Sequence, residues 1–241
     1  MYAQAVSNAP FRNAPAGIDP SRLVMGRGLE RQTTVSLMAI SSLQEKAPGE
    51  TLFAEGDDAD SVYEIVRGTV RLYKLLPDGR RLITGFLSAG KLLGLAPEGV
   101  CVYTAEAITD VTVCRYKRAA LERLIDEAPG FAKRLLTVTS HELRAAQDQM
   151  LLLGRKTAVE KVASFLLVMA ERENADDTDE VEVPMTRSDI GDYLGLTFET
   201  VSRTLTKLKQ DGLIALPARG HITIRSRDRL EELAAGECNA A

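Results

Sequence analysis

Residues 186–212 read TRSDIGDYLGLTFETVSRTLTKLKQDG, a stretch whose caps and glycines set out two short helices. Thr186 and Asp189 have the spacing of a capping box, with Asp in place of the usual Glu or Gln, and predict a short helix through Ile190 and Leu194. Gly195 supplies a tight turn. Thr197 is an N-cap for a second helix, Phe198 to Gln210, with Val201, Leu205 and Leu208 on one face and Glu199, Ser202, Arg203 and Lys207 on the other. Gly212 ends that helix as the residue beyond its cap. Leu213 to Leu216 and His221 to Ile224, joined by Pro217-Ala218-Arg219-Gly220, then predict a two-stranded wing. The pattern is that of a winged helix-turn-helix, whose second helix enters the DNA major groove with its N-terminal residues at base edges.

The residues at that end suit the task. Arg203 has the donors to bond guanine O6 and N7 together, Glu199 accepts from the exocyclic amine of cytosine, and Ser202 reaches either kind of base. Positions 199 and 203 project together, being four apart, a spacing that also describes an ordinary surface ion pair worth a few tenths of a kcal/mol. The cap, the turn glycine, the preceding helix and the wing favour the DNA reading. Arg187, Lys207, Lys209, Arg219 and Arg225, with the hydroxyls of Thr197 and Thr200, are expected to contact phosphates, which sets position without reading sequence.

Working outward, residues 1–34 mix Ala, Pro, Asn, Gly and Arg without apolar periodicity and predict a flexible arm outside the core, with a short amphipathic turn near Leu37 to Leu43. Pro48 to Tyr116 holds short apolar runs between glycines: 51–53, 62–66, 70–73, 82–87 and 111–114. Asp78-Gly79 is a hairpin signal between two of them. Together they predict an antiparallel β-roll over residues 35–128. Pro129 opens a helix over 129–155, in which Leu136, Thr139, Leu143, Ala146, Met150 and Leu153 recur at steps of 3, 4, 3, 4 and 3. That heptad seam predicts a dimerisation helix, the small Ala146 and polar Thr139 suiting close packing of two copies. Residues 156–241 form the DNA-binding domain, beginning with an amphipathic helix from Thr157 to Arg172 and an acidic loop over 171–182. The fold class is therefore α+β.

Composition sets the outer limits. The 241 residues are 45% hydrophobic and 27% charged, the balance of a globular protein. No apolar run approaches the roughly 18 to 20 residues of a membrane span, and no signal-peptide pattern opens the chain, so a cytoplasmic location is expected. Three scattered cysteines, Cys101, Cys114 and Cys238, exclude a disulfide framework and a cysteine-rich metal site. Cys114 is expected buried and inert; Cys101 in a loop and Cys238 in the tail are open to oxidation. His141 and His221 have no partner at ligand spacing, so no metal site and no catalytic constellation is expected, and the chain is not read as an enzyme. The net charge of −4 speaks against a nucleic-acid binder until the local face is considered.

The order of roll, long helix and Gly191-Asp192-Tyr193-Leu194-Gly195-Leu196-Thr197-Phe198-Glu199-Thr200-Val201-Ser202-Arg203 resembles the Crp/Fnr superfamily of bacterial transcription regulators over residues 45–230. Glu199, Ser202 and Arg203 resemble the Fnr and FixK branch. Where the catabolite-activator branch has an Arg before the Glu, this chain has Phe198, suited to a thymine methyl. The resemblance implies a homodimer on a TTGAT-N4-ATCAA type palindrome, contact with RNA polymerase for which Asp78 to Arg81 is a candidate, and activation of low-oxygen or nitrogen-oxide-related genes. In relatives that bind cyclic AMP, an Arg holds the phosphate and a Gly-Glu pair the ribose; here Tyr103 and Gly94-Leu95 stand at those places, so cyclic-nucleotide control is not expected. Residues 1–50 hold no cysteine, which removes the iron–sulfur ligand set of oxygen-sensing relatives. The expectation is a FixK-like regulator without a cofactor, the alternative being a haem- or small-molecule-gated sensor.

Overall fold

A computed structural model of the chain describes residues 23–95, 99–173 and 179–236. Cys238 lies outside them. The described chain divides into two compact units: one runs to Lys74 and resumes over Phe86–Glu142, and the other holds Leu75–Gly85 and the chain from Leu143 onward.

The first unit holds the roll apart from Leu75–Gly85, the hairpin segment that belongs to the second unit. Helix α1 (Arg31–Ala39) leads into β1 (Ser41–Lys46), β2 (Thr51–Phe53), β3 (Ser61–Arg67), β4 (Val70–Leu75), β5 (Arg81–Leu87), β6 (Leu92–Leu93), β7 (Thr104–Ala107) and β8 (Val111–Lys117). They form two four-stranded sheets, β1-β8-β3-β6 and β2-β7-β4-β5. Strand periodicity sends alternate residues to opposite faces. Tyr63, Ile65, Val111 and Val113 therefore join Phe53, Leu72 and Ala105 of the other sheet in one core, and Val62, Cys114 and Tyr116 face a second core. Helices cover that second face: α1, α2 (Arg118–Glu127) and the start of α3 (Pro129–Arg155), which contribute Leu37, Leu121, Leu124, Phe131 and Val138. The β3–β4 turn requires glycine. Gly68 has φ +87°, and a Cβ there would stand 2.2 Å from the Asp110 carbonyl oxygen.

Several expectations change here. The supposed arm is part of the core from Leu23 onward: Leu23 and Met25 are 2% and 1% exposed, and the backbone N–H groups of Val24 and Met25 donate to the Glu64 carboxylate. The expected turn at 37–43 is the end of α1 followed by a full strand, β1, paired with β8 from Ser41–Tyr116 to Lys46–Val111. In the hairpin, Gly79 N–H donates to the Leu76 carbonyl at 2.9 Å, so Pro77 and Asp78 are the central residues and Gly79, at φ +83°, closes the turn. Cys101 is 5% exposed rather than open in a loop, and burial pushes its thiol pKa up, away from the reactive thiolate. Cys114 is fully buried.

Helix α2 stops at Ala128 because the residue before a proline avoids the helical region, and Pro129 starts α3 as its sequence predicts. One face of α3 buries Phe131, Val138 and Leu152. The other exposes Leu136 at 66%, Leu143 at 60% and Met150 at 67%, with Ala146 and Leu153 also exposed and Thr139 partly so. Leu151, off the heptad, adds to this apolar surface.

Candidate nucleic-acid interface

The second unit builds its site on α4 (Ala158–Glu173), β9 (Glu180–Glu182), α5 (Arg187–Leu194), α6 (Phe198–Gln210), β10 (Ile214–Ala218), β11 (His221–Ile224) and α7 (Arg227–Ala235). The last residues of the acidic run are thus a strand, β9, not loop. It pairs with β11 and makes the wing a three-stranded sheet, because Val181 between the acids is buried. Val162, Phe165, Leu166 and Met169 of α4 are buried, with Phe165 set edge-on to Tyr193 of α5 at 6.0 Å.

Helix α5 opens with the expected capping box. Asp189 N–H donates to Thr186 Oγ1 at 3.1 Å, and Thr186 N–H returns to Asp189 Oδ2 at 3.0 Å. Asp189 is only 2% exposed, and its charge is met by Arg81, whose guanidinium lies 2.5 Å from Asp189 and 2.8 Å from Asp192. Arg81 is thus engaged with α5, which withdraws it from the polymerase-contact candidates; Asp78 to Arg80 stay exposed.

The approach of α6 to α5 depends on two glycines. Gly195 takes φ +64° in the left-handed region, as the turn requires. Gly191 matters as much: its carbonyl accepts from Leu196 N–H at 3.0 Å, and a Cβ there would meet the Leu196 carbonyl oxygen at 2.7 Å. The sequence signals this residue only as a glycine inside a helix, which usually marks close packing.

Helix α6 runs over the expected residues, with Thr197 accepting from Thr200 N–H at 3.2 Å. Val201, Thr204, Leu205 and Leu208 are buried and hold it down. Phe198, Glu199, Arg203 and Lys207 are exposed on the outer side. The backbone N–H of Glu199 itself, the Thr197 hydroxyl and Arg203 hold the Glu199 carboxyl below the usual carboxylate range, so it stays an ionised acceptor. The hydroxyls of Thr197 and Thr200 lie 3.1 Å apart; one hydrogen joins them and the other is left to donate outward. Ser202 Oγ, by contrast, is covered and has no hydrogen-bond partner among the described residues. A χ1 rotation is needed to present it.

A groove of about 390 Å³ joins the start of α5, the start of α6 and the wing; Thr186, Arg187, Phe198, Arg219 and His221 line it. Arg187 and Arg219, far apart in sequence, line the same groove as Phe198. Lys207 and Lys209 lie in the last turn of α6, where they also complement its dipole, and Arg225 follows β11, exposed. His221 stands opposite Glu182 across β9 and β11. Among the described residues no group of three His, Cys, Asp or Glu is placed to hold a metal ion.

Comparison with known proteins agrees with this architecture. Residues 160–233 match the Crp-like helix-turn-helix domain family and residues 43–128 the cyclic nucleotide-binding domain family. The chain is 49% identical to the nitrogen fixation regulation protein FixK of Bradyrhizobium diazoefficiens, over 78% of this chain and 79% of that protein. It is 47% identical to the transcriptional activatory protein AadR of Rhodopseudomonas palustris, over 78% of this chain and 79% of that protein. Among solved structures, FixK2 from Bradyrhizobium japonicum superposes with a TM-score of 0.76 at 43% identity, covering 80% of this chain and 97% of the other. These relatives are regulators, not enzymes, and no helix among the described residues is long and apolar enough to cross a membrane. By fold, interface and kinship the chain belongs to the Crp/Fnr family of DNA-binding transcription regulators, as a FixK-like member.

Proposed function

We propose that this regulator acts in the cytoplasm as a homodimeric transcription activator of low-oxygen or nitrogen-oxide-related genes, binding a TTGAT-N4-ATCAA-like palindrome through α6 and RNA polymerase through the exposed Asp78–Arg80 turn. The observation that carries the reading is the pairing of exposed Glu199 and Arg203, one turn apart, on a capped helix whose opposite face is buried. Arg203 takes guanine, Glu199 takes cytosine, Phe198 packs on a thymine methyl and Ser202 joins them after rotating its hydroxyl. Arg187, Thr197, Thr200, Lys207 and Arg219 take phosphates, and the relatives' names, FixK and AadR among them, support regulation and activation.

No cofactor is assigned to this reading. In the roll, Tyr103, which the resemblance puts at the place of the phosphate-binding arginine, packs beside Phe53 at 6.1 Å, and Phe53 stacks on Tyr63 at 5.7 Å. The test is binding of a palindrome duplex and of a scrambled duplex by wild type and Arg203→Ala. The variant should lose about 1 to 3 kcal/mol on the palindrome and little on the scrambled duplex. Equal discrimination by both proteins would remove Arg203 from base reading.

A further inference from the structure

We propose that Arg81, which lies outside the helix-turn-helix in sequence, is the positioning residue that fixes α5 and thereby sets the DNA-reading helix α6 in place. The inference rests on the DNA-binding role of α6 given above.

Its basis is the arrangement around the Asp189 carboxylate. Oδ2 accepts from both the backbone N–H of Thr186, at 3.0 Å, and its hydroxyl, at 2.6 Å. Oδ1 faces Arg81 Nη2 at 2.5 Å. The same guanidinium reaches Asp192, three residues on, with Nε at 2.9 Å from Oδ2. The side chains are 2% exposed for Asp189, 24% for Arg81 and 28% for Asp192. A carboxylate so covered carries a large desolvation cost, and a second carboxylate on the same side of the helix adds repulsion. A planar guanidinium meets both acids at once, which the point charge of a lysine cannot do equally well.

The consequence reaches α6 through the middle of α5, between the two aspartates. There the Gly191 carbonyl accepts from Leu196 N–H at 3.0 Å, and the chain just before the Thr197 cap passes so close that a Cβ on Gly191 would stand 2.7 Å from the Leu196 carbonyl oxygen, so the direction of α5 fixes where α6 begins. Without Arg81, the Asp189 carboxylate turns toward water and takes the capping box with it. The reading-competent arrangement then becomes a minor population, and DNA affinity falls by that fraction for every sequence alike.

The experiment uses the full chain and two fluorescent duplexes, one with TTGAT-N4-ATCAA and one scrambled. Arg81→Gln is expected to weaken both by a similar factor, about tenfold if one molecule in ten stays competent, with the preference between them and the salt slope unchanged. Arg81→Lys should recover part of the loss. Hydrogen exchange should quicken at the amides of 187–194 while those of 162–170 keep wild-type protection, which separates a loosened α5 from general unfolding. The proposal is overturned by any of four results: affinity within twofold of wild type, a loss confined to the palindrome, a lysine variant no better than glutamine, or unchanged exchange in α5. Absence of palindrome preference in the wild type would instead sink the proposed target, leaving exchange and scrambled-duplex binding to decide the role of Arg81.

Discussion

At the residue scale, Glu64 is the least expected group in the roll. Strand alternation turns it, with Val62, toward the core under the helices, where it is fully buried and accepts the backbone N–H groups of Val24 and Met25. Burial outweighs those bonds and pushes its pKa from 4.5 up to about 7. Between those two values the folded chain keeps a proton that the unfolded chain has lost. This group's contribution is therefore complete below pH 4.5 and disappears as pH rises through about 7. Urea unfolding of wild type and Glu64→Gln across that range should show the wild type losing stability relative to the variant as pH rises; parallel profiles would refute the assignment. Nothing in the sequence marks Glu64, since residues 62–66 read only as a short strand. Arg203 and Glu199 were legible because cap and helix period fix their direction locally.

At the element scale, α3 is a helix with two apolar faces. Phe131, Val138 and Leu152 are buried within the chain, whereas Leu136, Leu143, Met150 and Leu151 are left to solvent. In the proposed homodimer the row Leu136, Leu143 and Met150, at heptad spacing, is covered by its copy, each buried apolar side chain contributing roughly 1.5 to 3 kcal/mol. Leu143→Asp should accordingly give a folded monomer in sedimentation equilibrium, with weakened binding to a two-half-site duplex; a persistent dimer would place the interface elsewhere. The heptad itself was readable from residue spacing. The two-residue strand β6, and β9 inside an acidic run, were not, because each depends on a partner strand and not on its own pattern.

At the scale of the whole molecule, an acidic chain binds DNA because only the local face meets it. The net charge is −4, yet Arg187 and Arg219 converge on one groove beside the exposed end of α6. Affinity should fall steeply with salt, and Arg219→Ala should reduce the slope of log K against log salt by about 1 for each protomer bound, without changing sequence preference. An unchanged slope would show that the wing does not touch phosphate. The capped helices, the turn glycine, the wing and the heptad are legible in the residues alone, since each is set by residues within a few positions of one another. Three features come from folding: residues 23–29 close the roll, Glu64 is buried beneath them, and Arg81 meets an aspartate 108 residues away. Such pairings depend on which surfaces the folded chain brings together, and neither periodicity nor propensity encodes that.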